Sequence, residues 1–204
     1  MRNVRQVSAF VGFLGAAALL ACADAYAGLG KVAVGTAMPD FTLTDFNGET
    51  HHLSKYAGKV VVIDFLSKDC PWSRGASPSI AKLAREYESK GVVFIGINSN
   101  DGTTADAMSK YAESGSIPYA IVIDTENKYA DTVGATRTPE MFVIDRTGKL
   151  AYHGAYDNRK APEEVGGENY TKNAIDAVLA GKPVAKTEVS AWGCTIKRVS
   201  KNAG

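Results

Sequence analysis

The chain has 204 residues, of which 45% are hydrophobic and 22% charged, and its 23 basic and 22 acidic side chains leave a formal charge of +1. This composition is typical of a soluble globular domain, and it excludes a disordered chain, a collagen, a coiled coil and a strongly basic nucleic-acid-binding protein. Three cysteines are too few for a fold built on disulfides.

The first 27 residues have the pattern of a secretory signal peptide. Arg2 and Arg5 give a positive start, a mostly apolar run covers residues 7–23, and Ala25-Tyr26-Ala27 supplies the small residues of a cleavage site. We expect cleavage after Ala27, export to the periplasm or the exterior, and no stable membrane span after processing. The alternatives are an uncleaved anchor, for which the apolar run is short, and lipidation at Cys22.

Strand and helix patterns alternate through residues 28–181, which we expect to form one domain. A strand over residues 40–46 leads to Asn47-Gly48, a strong hairpin signal. The further predicted strands cover residues 59–66, 92–98, 119–124, 141–145 and 150–156. The predicted helices run from about residue 72 towards Gly91, then over about 103–114, 128–133 and 170–180.

This alternation predicts an α/β protein with a central, largely parallel sheet that is covered by helices on both faces. A turn at residues 146–148 joins the last two strands as an antiparallel hairpin, so the sheet should be mixed. Residues 182–204, hereafter the tail, show no clear periodicity and carry Cys194.

Cys70 lies between a predicted buried strand and the start of a predicted helix. Unpaired N–H groups and the helix dipole at such a position stabilise a thiolate. The alternative is a buried, inert cysteine, but the flanking residues include Lys68, Asp69 and Arg74 rather than an apolar cluster. Arg74 could lower the thiol pKa further. The sequence therefore predicts a reactive thiol.

Asp64 is the one charged residue within an otherwise apolar strand pattern, Val60 to Leu66. Burial of a carboxylate raises its pKa, and a carboxyl with a raised pKa near a thiol suits proton transfer. A solvated strand end or a lysine partner is the alternative explanation.

Thr138-Pro139 directly precedes the predicted strand at residues 141–145, and proline is excluded from the interior of a central strand. A cis peptide bond there would turn the chain tightly and expose the backbone of Thr138. An ordinary trans proline in a turn is the alternative.

Taken together, these features resemble the thioredoxin superfamily. Asp64 lies six residues before Cys70, Pro78 lies eight after it, and Gly134 to Pro139 precedes a strand. Over about residues 35–182 the chain is similar to the exported redoxins of the alkyl hydroperoxide reductase/thiol-specific antioxidant group and of the TlpA/ResA type. The resemblance implies a three-layer thioredoxin-like fold with an N-terminal hairpin and an inserted strand–helix unit. It also implies a cis Pro139 and a Thr138 backbone that binds a substrate chain.

The chain also departs from the motifs of these families. The usual Cys-x-x-Cys is replaced by Cys70-Pro71-Trp72-Ser73, in which Ser73 can hydrogen-bond to the thiolate but cannot form a disulfide. The peroxiredoxin motif is not kept either, although Ser67 retains a hydroxyl in place of its threonine. Within the same segment we assign Trp72 to substrate binding.

Cys194 lies in a Gly-Cys-x-Ile-Lys segment that is similar to the end of some exported redoxins. An extended tail is long enough to return from the last helix to Cys70. A disulfide between Cys70 and Cys194 would then replace the missing active-site pair. A structural thiol or an intermolecular bridge is the alternative.

No bound cofactor or metal is indicated, because the three histidines, His51, His52 and His153, have no chelating spacing. The resulting hypothesis is an exported thiol–disulfide oxidoreductase that acts on protein disulfides, small thiols or peroxides and needs an external thiol reductant. A peroxiredoxin-like thiol peroxidase is the first alternative. A non-catalytic thioredoxin-fold binding module is the second.

Overall fold

A computed structural model describes residues 31–200, so the predicted signal peptide lies outside the described residues. Within residues 31–200 the strands are β1 (Thr42–Asp45), β2 (Thr50–His52), β3 (Val60–Phe65), β4 (Val92–Asn98), β5 (Ile121–Ile123), β6 (Arg137–Thr138), β7 (Glu140–Ile144), β8 (Leu150–Gly154), β9 (Glu188–Val189) and β10 (Cys194–Thr195). The α-helices are α1 (Pro71–Glu88), α2 (Ala105–Ser114), α3 (Lys128–Val133) and α4 (Tyr170–Leu179). Short 3₁₀ helices cover Leu53–Tyr56 and Thr125–Asn127. No described helix is long and apolar enough to cross a membrane.

Eight strands form a mixed sheet in the order β2-β1-β5-β4-β3-β7-β8-β9. The prediction of a mixed sheet is confirmed, but the sheet is not largely parallel: β3, β4 and β5 at its centre and the edge pair β8–β9 are parallel, and the other pairs are antiparallel. β7 runs antiparallel to β3, and the hairpins β1–β2 and β7–β8 are antiparallel because short turns join their strands. A separate two-stranded ladder joins β10 to β6.

The sheet is covered on both faces, as expected for a three-layer α/β/α fold. One face carries α1 and α4, whose Ile80 and Ile175 pack with Val62 of β3. The other face carries α3, whose Val133 packs with Ile63 and Phe65 of the same strand. Because successive residues of β3 point to opposite faces, Asp64 lies on the face of Val62, beneath α1.

The tail adds structure that its sequence pattern did not predict. β9 extends the main sheet by pairing with β8, and β10 pairs with β6 beside Pro139. Ile196 is only 2% exposed and belongs to the core cluster on the α3 face. Strands of two residues have no detectable alternation, and their hydrogen bonds go to distant parts of the chain.

Candidate active site

Cys70 caps the N-terminus of α1, as the sequence predicted, and Pro71 occupies the first helical turn, where its missing N–H leaves no bond unmade. The Cys70 carbonyl accepts the Arg74 N–H at 3.0 Å. The thiol donates to the Thr138 carbonyl at 2.9 Å. Cys70 is 2% exposed, so the thiol lies beneath its neighbours rather than on an open surface.

The surroundings of Cys70 favour its thiolate. Burial opposes ionisation, but hydrogen bonds outweigh it and lower the pKa of the Cys70 thiol. The largest of these comes from the Cys194 thiol, followed by the N–H of Ser73 and the hydroxyl of Thr138. The N–H contribution is the helix N-terminus effect that the position of the cysteine predicted.

Thr138 and Pro139 form the wall opposite the thiol, and the peptide bond between them is cis. The loop before this bond is held by Glu140, whose Oε2 accepts the N–H groups of Thr136 at 2.7 Å and Arg137 at 2.8 Å. The other oxygen of Glu140 lies 2.6 Å from Nε2 of the buried His153. This carboxylate therefore fixes the backbone on which Thr138 is presented.

Cys194 lies directly across the ladder from Thr138 and is a half-buried free thiol. Burial and the hydrogen bond with Cys70 raise the pKa of Cys194 to about 11. The N–H of Trp72 also reaches this sulfur. The two cysteines are therefore neighbours, with Cys70 as the more acidic thiol.

Asp64 is 1% exposed, and burial raises the pKa of its carboxyl to about 7. Tyr119 donates its hydroxyl to Oδ2 at 3.0 Å, whereas the buried Oδ1 has no hydrogen-bond partner in the described residues. A carboxyl with these properties exchanges protons near neutral pH. Tyr119 had no distinguishing sequence signal, because a tyrosine before a strand is common in a core.

The side chains of Ser73 and Arg74 make contacts that differ from those expected from the sequence. The Ser73 hydroxyl accepts the Ser67 N–H at 3.2 Å, so Ser73 reaches Cys70 through its own N–H. Arg74 is exposed, and its guanidinium donates to the Lys68 carbonyl at 3.4 Å. Both side chains are thus bonded to the loop that precedes α1, and the N–H of Ser73 rather than either side chain meets the sulfur.

Trp72 does not face open solvent, because its ring packs on Trp192 of the tail with 5.2 Å between centroids. Trp192 also donates Nε1–H to the Asp157 carbonyl at 2.7 Å and lies under the guanidinium of Arg159, 5.0 Å from its ring. Arg159 in turn forms a fully buried ion pair with Asp157. Trp192 had no distinguishing signal in the sequence, because nothing in its own segment shows that it meets Trp72.

Asp45, Glu49 and His51 are a group of possible metal ligands in the described residues, with ligand atoms within 4.8 Å of one another. Asp45 already accepts the N–H groups of Asn47 and Glu49, and His51 bonds Asp45 and Tyr56. These bonds hold the β1–β2 hairpin, and the group lies on a different part of the sheet from Cys70.

Comparison with known proteins places this geometry among thiol enzymes. The model of the Redoxin family matches residues 33–169. Thiol-disulfide oxidoreductase ResA of Geobacillus thermodenitrificans is 33% identical over 119 residues, which are 58% of this chain and 67% of that protein. The chloroplastic peroxiredoxin Q of Triticum aestivum is 31% identical over 147 residues, 68% of this chain and 65% of that protein.

Among solved structures, an uncharacterized conserved protein from Geobacillus kaustophilus is similar with a TM-score of 0.78 and 30% identity. The match covers 85% of this chain and 96% of that one. The fold is thioredoxin-like, as the spacing of Asp64, Cys70 and Pro139 implied.

Proposed function

This chain belongs to the redoxin family and is a thiol-based oxidoreductase, and we propose that it carries out thiol–disulfide exchange with Cys70 as nucleophile and Cys194 as resolving cysteine. The observation that carries the proposal is that both cysteines meet at Thr138: the Cys70 thiol donates to the Thr138 carbonyl, and Cys194 pairs with Thr138 across the ladder. Family membership favours an enzyme over a non-catalytic binding module.

In the first step the Cys70 thiolate attacks one sulfur of a substrate disulfide. A bond forms between Cys70 Sγ and that sulfur, the substrate S–S bond breaks, and the second substrate sulfur leaves as a thiolate. Asp64 is the proposed proton acceptor and donor, since its pKa of about 7 suits both roles. Ser73 stabilises the Cys70 thiolate through its N–H, and Arg74 adds positive potential at the exposed edge.

In the second step Cys194 gives up its proton to Asp64 and attacks Cys70 Sγ as a thiolate. The bond from Cys70 to the substrate sulfur breaks, and that sulfur leaves as a thiolate and takes up a proton. One substrate disulfide has then become two thiols, and two enzyme thiols have become one disulfide. An external dithiol reverses this change. We propose that it attacks Cys194, because Cys194 is the more exposed sulfur and Cys70, with the lower pKa, is the better leaving group.

Two variants test this assignment. In an assay in which dithiothreitol regenerates the reduced enzyme, Cys70→Ser should abolish the enzyme-catalysed reduction of a small disulfide. Cys194→Ser should retain the first step and accumulate a mixed disulfide on Cys70, seen by mass spectrometry. Unchanged turnover in Cys70→Ser would refute the assignment.

A thiol peroxidase is the second candidate, and the likeness to peroxiredoxin Q favours it. There the Cys70 thiolate would attack a hydroperoxide oxygen, become a sulfenic acid and release an alcohol or water, after which Cys194 would condense with it and release water. The Ser67 hydroxyl accepts the Asp69 N–H at 3.3 Å. Trapping a sulfenic acid with dimedone in Cys194→Ser, at a rate that matches peroxide turnover, would establish this candidate over disulfide exchange.

We also propose export, on the pattern of residues 1–27. The mass of the mature protein from its native host would identify cleavage after Ala27. A lipid retained on Cys22 would give a different N-terminus and would contradict cleavage after Ala27.

A further inference from the structure

The tail lies on the backbone edge that a substrate chain needs. The family resemblance implies that the Thr138 backbone binds a substrate chain. However, β10 already pairs with β6 there, with Cys194 opposite Thr138 and Thr195 opposite Arg137. Arg137 adds side-chain bonds to Thr195 Oγ1 at 3.1 Å and to the Gly193 carbonyl at 3.4 Å. The tail therefore takes the position of an extended peptide that presents a cysteine to Cys70.

Close approach at this edge depends on Gly193. Its φ is +113°, and a Cβ built on it would lie 2.2 Å from the Thr138 carbonyl oxygen. That oxygen is the acceptor of the Cys70 thiol. Any side chain at position 193 would therefore have to push the tail away from the site.

The tail is anchored on both sides of Cys194. On one side Trp192 packs on Trp72 and donates to the Asp157 carbonyl. On the other side Ile196 is buried, and its N–H donates to the Thr136 carbonyl at 3.0 Å. Further along, the Lys197 carbonyl accepts the Asp101 N–H at 2.9 Å. A segment held at this many points occupies the β6 edge persistently, so an extended peptide cannot pair there while the tail stays in place.

We infer that the tail is an internal strand that occupies the place of a substrate peptide. For as long as β10 pairs with β6, Cys70 reacts only with oxidants smaller than an extended peptide, namely low-molecular-weight disulfides or hydroperoxides. The inference rests on the proposed function of Cys70. Polypeptide disulfides reach Cys70 only from the open form, in which β10 has left β6. Gly193 is then a residue that determines specificity, because it permits the closed form.

The test compares two substrates with the same leaving group. One is hydroxyethyl disulfide, and the other is an extended peptide whose single cysteine is joined to the same hydroxyethyl thiol. The reduced wild type should consume the small disulfide about tenfold or more faster than the peptide, because reaction with the peptide requires local opening. Cys70→Ser should consume neither.

Gly193→Ala should remove this preference by opening the tail. Gly167→Ala is the matched control, because its φ is ordinary and a Cβ there meets nothing within 4 Å. In Gly193→Ala we expect the peptide rate to rise towards that of the small disulfide and Cys70 to become accessible to a maleimide that carries a polyethylene glycol chain. Peptide mapping distinguishes labelling of Cys70 from labelling of Cys194. Gly167→Ala should behave as wild type.

The wild type alone keeps the inference falsifiable if Gly193→Ala does not fold. Equal wild-type rates for the two substrates, with turnover still dependent on Cys70, would overturn the inference and leave the proposed function intact. Turnover that survives Cys70→Ser would refute the proposed function itself and the inference with it.

Discussion

Replacing Asp64 with asparagine should make the protein more stable at alkaline pH and leave its stability in acid nearly unchanged. The carboxyl is 1% exposed, its Oδ1 has no partner in residues 31–200, and burial raises its pKa from 3.8 to about 7. Asparagine keeps an oxygen for the Tyr119 hydroxyl and carries no charge at any pH. The variant thus removes the cost of a buried charge and little else.

The magnitude follows from linkage between ionisation and folding. Below about pH 4 the carboxyl is protonated in both the folded and the unfolded chain, so it has no effect on stability. Between about pH 4 and pH 7 only the unfolded chain releases the proton, so wild-type stability falls as pH rises. Above pH 7 the loss is complete and amounts to roughly 4 kcal/mol.

The assay is urea unfolding of the reduced protein at several pH values from about 4.5 to about 8.5, monitored by the fluorescence of Trp72 and Trp192. The free energy of unfolding of Asp64→Asn minus that of wild type should widen as the pH rises to about 7 and then level off. Asp106→Asn is the control, because that carboxylate is 76% exposed and pairs only with Lys110 on the surface. A difference for Asp64→Asn that is independent of pH, or that widens towards acid, would refute the reasoning.

Three further predictions concern the tail and the thiolate. Trp192→Ala should lower the free energy of unfolding by about 2 kcal/mol, because a packed indole is lost. It should also speed alkylation of Cys194. An unaltered rate of alkylation would mean that Trp192 does not hold the tail. Arg159→Ala should cost about 3 kcal/mol, because it leaves the Asp157 carboxylate buried without its cation, and urea unfolding that matches wild type would contradict this. Cys194→Ala should raise the pKa of Cys70, since the largest hydrogen bond to the thiolate is removed. The pKa is measured by the pH dependence of Cys70 alkylation. Cys194→Ser should lower the pKa part of the way back, and a pKa unchanged in both variants would exclude that bond.

The regular elements were predictable where a segment has its own period or end signals. The bounds of β4 and α3 agree with the prediction to the residue. A buried, mostly β-branched run marks β4, and an αL glycine, Gly134, ends α3. The parallel centre of the sheet followed from its strand–helix alternation. The antiparallel hairpins β1–β2 and β7–β8 were predicted from their turns. The antiparallel pairs β1–β5, β3–β7 and β6–β10 were missed, because pairing partners depend on which strands become neighbours in space.

The site was predictable in part for the same reason. Cys70 at a helix start and Asp64 within an apolar strand are local conflicts that a sequence displays, and the structure gives both the pKa directions expected of them. Glu140 is a similar conflict, a carboxylate between Pro139 and an apolar run, and the same argument could have found it. The orientation of the Ser73 hydroxyl depends on the fold of the preceding loop, and no sequence pattern specifies it.

The position of the tail could be inferred only from its length. That Cys194 can return to Cys70 followed from the reach of an extended chain. That it does so as a strand on β6 depends on the anchoring of Trp192 and Ile196 in pockets made by distant residues.

The central claim is that Cys70 and Cys194 form one reversible redox pair. The most direct test is mass spectrometry of the mature protein with its thiols trapped, before and after a small disulfide oxidant and again after dithiothreitol. We expect one intramolecular disulfide that links the Cys70 and Cys194 peptides, forms with the oxidant and disappears with dithiothreitol. Both cysteines still alkylated after the oxidant, or an oxidant adduct on Cys70 that Cys194 never resolves, would contradict it.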